Sequence, residues 1–412
     1  MDTALGHDLE RVLAVSRALG AERDLDRLLG LIVDVASPMV GADRTTLFLV
    51  DPEDGSLISR IAQGSGTIRI PAGTGIAGQV ALSRTPVNIP DAYADPRFNP
   101  DNDRRTGYRT TSILCLPLID HEDHVVGVIQ SLNRAAGPFG PREETVLSAL
   151  CSQAAVALTN ARLVIADRER QRLERDHELA REIQQAAIPQ GPWCAHGWRI
   201  AGDCRPCEQT GGDYLDVLQR GDHLDLVVAD VTGHGLPAAM VMMSARATLR
   251  ALSRPGIGVQ ELVAEVNRLL CADLGPETFM SLGLLRLAAD GGIRSVHAGH
   301  EPALVVRRDG RCERLAGDGL LIGIDADAAY TAGEARLAPG DVVVLLTDGV
   351  GEAQAAPDWI QLGADAVEAA VRAAAPEGAE AVVAAIDTLV GRHLAGRPAH
   401  DDITILVAQR TG

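Results

Sequence analysis

The sequence predicts an α+β protein built from two domains and a joining helix. The chain of 412 residues is too long for one fold at roughly 150 residues per domain. Its 46% hydrophobic and 23% charged content suits packed globular cores. Its strand signals are many and only occasionally alternate with helices, the pattern of antiparallel sheets covered by helices. The expected organisation is a domain over residues 1–160, a linker helix over 161–190 and a second domain over 191–412.

In the first segment, Leu25, Leu28, Leu29, Ile32, Val33 and Val35 recur at the spacing of a largely buried helix over 24–40. Thr45 to Val50 reads as a strand that stops at the turn Asp51-Pro52, and Ser112 to Leu118 and Val125 to Ser131 are further β-rich runs. A helix opens after Pro141 and runs from Glu143 to Leu163. The helical pattern continues from Ala161 to Ile188, although residues 167–176 hold four acids, four arginines and Leu173 as the one apolar residue. Such a stretch cannot lie in a core, so it is expected as a solvated connecting helix, ended by Pro189 and Gly191-Pro192.

Beyond residue 191, strands are expected at Asp225 to Val231, Phe279 to Ala288, Gly292 to Ala298, Ala303 to Arg307, Asp341 to Thr347 and Asp402 to Val407. Helices are expected at Pro237 to Ser253, Val259 to Cys271 and Asp365 to Ala374, and no internal repeat is visible.

Charge narrows the functional classes. The net charge is −18 and all 38 basic residues are arginine, which removes Schiff-base and Walker A lysine chemistry. An acidic surface repels nucleic-acid phosphates and anionic lipid, and three Trp, four Tyr and four Phe offer few stacking platforms, so neither nucleic acid nor membrane is an expected partner. No apolar run reads as long enough to span a bilayer, and a basic-then-apolar N-terminal signal is missing, so the expected location is the cytoplasm. Seven scattered cysteines argue against a disulfide framework, and Cys204 and Cys207 read as ordinary thiols.

Four acidic motifs lie where strands end: Asp213 in GGDY, Asp230 in VVADVTGHG, Asp348 in LLTDG and the pair Asp401-Asp402 in HDDIT. One Asp at a strand end is commonly a turn former. Four of them converging at a sheet edge demand cations, and hard Mg²⁺ or Mn²⁺ takes oxygen ligands of this kind.

These residues also carry a resemblance. The blocks LAREIQQAAIP (179–189), GGDYLD (211–216), ADVTGHG (229–235), HAGHEPAL (297–304), LAPGDVVVLLTDGVGEA (337–353) and DDITILV (401–407) resemble, in that order, the SpoIIE-like (RsbU-like) branch of the PPM, or protein phosphatase 2C type, metal-dependent Ser/Thr phosphatases. The resemblance implies a sandwich of two antiparallel sheets flanked by helices, with two Mn²⁺ or Mg²⁺ ions at one edge. It implies Asp213, Asp230, Asp348 and Asp401 as metal ligands, with Asp230 bridging and the Val231 carbonyl a further ligand, while Asp402 orients the site. The two cations neutralise a phosphoester dianion and activate a water that attacks phosphorus in line. His234 is a candidate proton donor out of register with the eukaryotic-type histidine, Glu208 stands where those enzymes place a substrate-binding Arg, and Arg205 is an alternative for that role or a solvated surface residue. His297 and His300 belong to a block that forms a sheet turn in the family.

Residues 24–160 resemble a GAF domain through the segment 70–118, VVGVIQSLNR (125–134) and FGPREE (139–144). The resemblance implies an antiparallel sheet with flanking helices and a small-molecule site. The Asn-Lys…Phe…Asp-Glu signature of cyclic-nucleotide-binding members appears here as Asn133, Arg134, Phe139, Glu143 and Glu144, with charges kept and geometries changed. Cyclic nucleotide, another small ligand and dimerisation alone all stay open. The combined expectation is a homodimeric, GAF-regulated phosphatase acting on an anti-anti-sigma-type phosphoprotein. The alternative is a ligand-binding regulator whose phosphatase fold is a docking module.

Overall fold

The computed structural model describes residues 14, 17–22, 24–62, 68–275, 277–355 and 359–412. They form two compact units, Met1–Arg172 and Leu173–Gly412.

The first unit begins with helix α1 (Leu25–Val40), whose N-cap Asp24 accepts the Arg27 amide and whose end turns through Gly41 at φ +67°. There follow β1 (Ala42–Val50), β2 (Leu57–Ala62), β3 (Ile68–Ile70), α2 (Gly75–Ser83), β4 (Val87–Ile89), α3 (Asp101–Thr106), β5 (Ile113–Ile119), β6 (Val125–Arg134) and α4 (Pro141–Ala187). The strands form one antiparallel sheet in the order β3-β2-β1-β6-β5-β4. Alternation along the strands fills both faces. Leu47, Leu114, Leu116 and Ile129 pack with Leu28 and Ile32 of α1 and Leu147 and Leu158 of α4. Their neighbours Phe48, Ile113, Cys115 and Val128 pack with Ile76 and Val80 of α2 on the other side.

Helix α4 is continuous over 47 residues, so the expected C-terminal helix of the first domain and the expected linker are one element. It also corrects one expectation. Among the described residues it is a helix long and apolar enough to cross a membrane, and 39% of the qualifying stretch is buried inside the protein. Its apolar residues Leu147, Leu150, Cys151, Ala154 and Leu158 belong to the core just described, and a core helix meets the same length and composition test. From 162 to 187, Gln184 is the one buried position.

The second unit continues with β7 (Trp193–Ala195), β8 (Trp198–Arg205), β9 (Tyr214–Arg220), β10 (His223–Val231), α5 (Gly235–Leu252), α6 (Val259–Asp273), β11 (Met280–Ala288), β12 (Gly292–Ala298), β13 (Leu304–Val306), β14 (Cys312–Arg314), β15 (Gly317–Gly319), β16 (Tyr330–Arg336) and β17 (Val342–Leu346). It ends with α7 (Asp348–Gly351), the short strands β18 (Gln354–Ala355) and β19 (Ile360–Gln361), α8 (Ala364–Ala374), α9 (Ala379–Leu394) and β20 (Ile403–Arg410). Two six-stranded sheets result, β15-β16-β12-β11-β10-β9 and β14-β13-β17-β20-β8-β7, antiparallel except for the bridge of β12 to β15.

Period-two burial makes four layers of these elements. Leu226, Val228 and Leu285 of one sheet meet Ile200, Leu345 and Leu406 of the other between the sheets. Val227, Ala229 and Leu284 face the opposite way, onto Met242 and Leu249 of α5 and Val263 and Val266 of α6. Val344, Ile405 and Val407 face Val371 of α8 and Ile386 of α9. Each fully buried side chain of this size contributes about 1.5–3 kcal/mol of burial, so the α-β-β-α sandwich is held on three apolar interfaces. Helix α9 and strands β8 and β9 lie outside the elements expected from sequence. Helix α9 does carry a stripe at helical spacing, Val382, Ile386, Val390 and Leu394, while the strands are interrupted by polar residues.

Candidate metal centre and ligand cavity

Both sheets deliver carboxylates to one edge of the sandwich. Asp213 precedes β9 and Asp230 is the penultimate residue of β10 in one sheet, whereas Asp348 follows β17 and Asp401 precedes β20 in the other. Asp213 is buried and accepts a 2.9 Å hydrogen bond from the Thr347 hydroxyl, which in turn accepts the Thr404 amide at 3.0 Å. Asp402 works through backbone. Its Oδ2 accepts the Gly212 amide at 2.7 Å and the Asp213 amide at 3.3 Å, and its Oδ1 accepts the Cys207 amide at 2.7 Å. A Cβ at Gly211 would strike the Asp402 carboxylate, and one at Gly212 would lie 2.7 Å from the Val231 carbonyl, so this approach needs glycine.

The Gly211 backbone is gripped from α4. Gln184 Nε2 donates to the Gly211 carbonyl at 2.6 Å and Gln184 Oε1 accepts the Gly211 amide at 3.2 Å. Nothing in the residue spacing pointed to Gln184 or to Thr347, although both fall inside the conspicuous blocks IQQ and LLTDG.

Electrostatics show the carboxylates acting on one another. Burial first, then Asp348, Asp401 and Asp402, push Asp230 up to about 7. Burial, then Asp230, raises Asp213 well above the usual range. Asp348 is raised by burial and then by Asp401, and Asp401 by burial with contributions from Asp402 and Glu352. Against them acts the His234 ring, which lowers Asp401. An oxygen-only donor set with surplus negative charge at a partly buried edge fits hard divalent cations. Among the described residues, no group of three His, Cys, Asp or Glu side chains is placed to hold a metal ion as it stands.

The neighbouring candidates divide. His234 pairs with Glu208 at 3.0 Å on the surface beside the cluster, where it lowers Asp401. Arg205 is taken by Asp203 at 2.9 Å and by Asp387 of α9. Cys204 and Cys207 are free thiols, both pushed up by burial, Cys207 to about 12. His297 accepts the Ala303 amide at 3.0 Å and His300 bonds the Ser281 hydroxyl at 2.9 Å, and burial pushes both rings down to about 4. Both hold the sheet turn.

In the first unit a cavity of about 360 Å³ opens on the α2 side of the sheet, with Arg44, Thr46, Phe48, Asp103, Tyr108 and Gln130 among its lining. Asn133, Arg134, Phe139 and Glu143 do not line it. Asn133 ties the preceding segment down instead, accepting the Thr111 amide at 2.6 Å and donating to the Tyr108 hydroxyl at 2.9 Å and the Arg109 carbonyl at 2.8 Å. Arg134 pairs with Glu143 at 3.1 Å, Glu143 accepts the Gly140 amide at 2.9 Å, and the Phe139 carbonyl accepts Asn88 at 3.1 Å. The signature thus reaches the cavity through Tyr108, which Asn133 holds.

Comparison with known proteins agrees with both halves. A family model described as Stage II sporulation protein E (SpoIIE) matches residues 220–411, and the GAF domain model matches residues 24–158. The dual 3',5'-cyclic-AMP and -GMP phosphodiesterase 11A of Takifugu rubripes is 33% identical over 178 residues, 40% of this chain and 20% of that protein. The corresponding phosphodiesterase 11 of Drosophila melanogaster is 36% identical over 173 residues, 37% of this chain and 12% of that protein. The chain therefore spans a fifth or less of the length of these two curated relatives. The solved SiaA-PP2C domain of Pseudomonas aeruginosa superposes with a TM-score of 0.51 at 23% identity, covering 59% of this chain and 99% of that domain, which shows a shared fold. The chain thus joins a GAF domain, over residues 24–158, to a domain of the SpoIIE branch of PPM phosphatases, over residues 220–411.

Proposed function

We propose that this protein is a Mn²⁺- or Mg²⁺-dependent phosphatase for phosphoserine or phosphothreonine in proteins, governed by a small ligand at its GAF domain. The observation that carries the reading is the convergence of Asp213 and Asp230 from one sheet and Asp348 and Asp401 from the other at one edge, where burial first and neighbouring carboxylates second raise all four. Bound there, two dications would neutralise the phosphoester dianion and acidify a water. Asp213 and Asp230 would hold them from one sheet, Asp348 and Asp401 from the other, with Asp230 shared and the Val231 carbonyl a further ligand. Asp402 keeps the Gly212 and Asp213 amides in place.

The sensor occupies 1–160, helix 161–190 transmits its state, and 191–412 carries out hydrolysis. A cyclic nucleotide is one candidate for the cavity, given the identity to phosphodiesterases. The family resemblance favours an anti-anti-sigma-type phosphoprotein as substrate, in the cytoplasm. The exposed apolar residues Leu163, Leu173 and Leu179 along α4 support pairing of two copies.

The test is phosphate release from p-nitrophenyl phosphate and from a phosphoserine peptide, with Mn²⁺, Mg²⁺ or chelator. Activity with either cation and none with chelator is expected, and Asp230→Asn should abolish it in a folded protein because an amide lacks the charge two ions share. Wild-type turnover by Asp230→Asn would defeat the assignment.

A further inference from the structure

Between Asp348 and α8 the chain makes a hairpin, β18 and β19, to which the metal centre assigns no role. It is closed by the Leu362 amide on the Ala353 carbonyl at 2.9 Å and by the Gly363 amide on the Gly351 carbonyl at 2.9 Å, and His393 Nε2 donates to the Ile360 carbonyl at 2.8 Å. On this anchored hairpin Trp359 and Ile360 are 58% and 61% exposed. Trp359 also sits at φ +54°, a left-handed conformation that costs a bulky residue energy and that collects at functional sites. Its indole lies against the His400 imidazole, with centroids 5.1 Å apart and planes tilted by 47°. His400 directly precedes Asp401, and the root of the hairpin, α7, begins at Asp348. The exposed indole therefore rests on the residue next to Asp401, on a hairpin that follows Asp348 in the chain.

We propose that Trp359 is a specificity-determining residue that receives an apolar side chain of the phosphoprotein about two to four positions from the phosphorylated residue. The inference rests on the phosphatase reading. Contact with the His400 ring at 5.1 Å between centroids, followed by one Cα step of about 3.8 Å, places the indole on the order of 10 Å from Asp401. An extended peptide advances about 3.3 Å per residue, which gives the spacing. The indole meets His400 at a tilt and remains 58% exposed, a large apolar surface suited to cover an aliphatic side chain. Glu352 and Glu301 press on Asp401 and Asp348 from the same rim, so an acidic flank would be repelled where an apolar one is accepted.

The experiment uses the full chain with Mn²⁺ and phosphoserine peptides in a Gly-Ser background, each with one Leu scanned from four positions before the phosphoserine to four after. Wild-type protein should favour Leu at one position or two adjacent ones by roughly tenfold in kcat/KM, the scale of one apolar contact. Trp359→Ala should lose that preference, Trp359→Phe should keep it, and p-nitrophenyl phosphate hydrolysis should stay within about twofold in both, since that ester reaches only the metal edge. A wild-type protein without a Leu preference overturns the proposal, as does a preference intact in Trp359→Ala. Equal loss on p-nitrophenyl phosphate also overturns it, because Trp359 would then serve the metal edge. So does a changed oligomeric state with unchanged peptide preference, which would make the hairpin a contact between copies. Failure of the wild type on p-nitrophenyl phosphate refutes the phosphatase reading instead.

Discussion

Replacing Gln184 by Ala asks how far helix α4 holds the metal edge. The side chain makes two hydrogen bonds to one backbone unit, 2.6 Å to the Gly211 carbonyl and 3.2 Å from the Gly211 amide, in buried surroundings. Removing it strands both groups, at about 1–3 kcal/mol each if nothing replaces the bonds. Water entering the space left by the side chain restores part of this, so about 2 kcal/mol is the working figure. Gly211 stands two residues from Asp213 and against Asp402, so the loss falls on the loop that presents Asp213. Since about 1.4 kcal/mol is a factor of ten, the Mn²⁺ concentration for half-maximal activity should rise about 30-fold, with the maximal rate largely recovered at saturation. The assay is a Mn²⁺ titration of p-nitrophenyl phosphate hydrolysis beside thermal unfolding of the same samples. Gln184→Glu keeps an acceptor for the Gly211 amide and should fall between wild type and Ala. Wild-type Mn²⁺ dependence in Gln184→Ala would refute the reasoning, whatever the change in Tm.

Three further outcomes follow from the same geometry. Asp230→Asn should lose turnover at any Mn²⁺ concentration, whereas Asp348→Asn, which serves one ion, should regain part of it at high Mn²⁺; phosphate release reads both. The folded pKa of Asp230 lies near 7 against about 3.9 unfolded, so metal-free protein holds a proton on folding across that window and gains stability as pH falls through it. Metal-free Asp230→Asn should therefore unfold at a higher temperature than wild type at pH 8, and that advantage should vanish toward pH 4; a gap that does not change with pH counts against the shift. Two glycines inserted near Arg170 should abolish the response to a GAF ligand and spare basal turnover, because no Gly or Pro interrupts α4 between 161 and 188. An unchanged response in that variant would make the helix a spacer.

The sequence made much of this architecture legible and left specific parts dark. Strands β10, β11 and β20 are dense β-branched and leucine runs, and each lies within a few residues of its expected place, as does the more polar β12. Asp213, Asp230, Asp348 and Asp401 were recognisable because a strand end followed by a small turn is a local pattern, and six ordered blocks repeated a family's. Gln184 and Thr347 were not, because their roles exist only across gaps of 27 and 134 residues in sequence. Trp359 gave no signal of its own, since one aromatic in a polar stretch has no period. The apolar stretch of α4 was overlooked for a different reason. Small residues such as Ala154, Ala155 and Ala161 dilute its look of hydrophobicity, while its unbroken length still satisfies the requirement of a spanning helix. Of the Asn133 to Glu143 signature, Asn133 bonds the Tyr108 segment, while Arg134 and Glu143 pair with each other, a division that depends on the fold and not on the spacing.

The hydroxyl of Thr347, held between Asp213 and the Thr404 amide, has a consequence for the order in which this protein can come alive. The two residues it joins belong to different sheets, and the Asp402 contacts to Gly212 and Asp213 span 190 and 189 positions of chain. Contacts of such separation form late in folding, after the local hairpins, because the loop they close is long. During synthesis a chain that already displays its sensor, α4 and the first sheet still holds only Asp213 and Asp230 of the cluster. Asp348 follows with β17, and Asp401 arrives last, next to β20, whose Ile403 pairs opposite Arg205 at the end of β8. The four-carboxylate edge is therefore complete only once residue 401 has joined the second sheet beside β20.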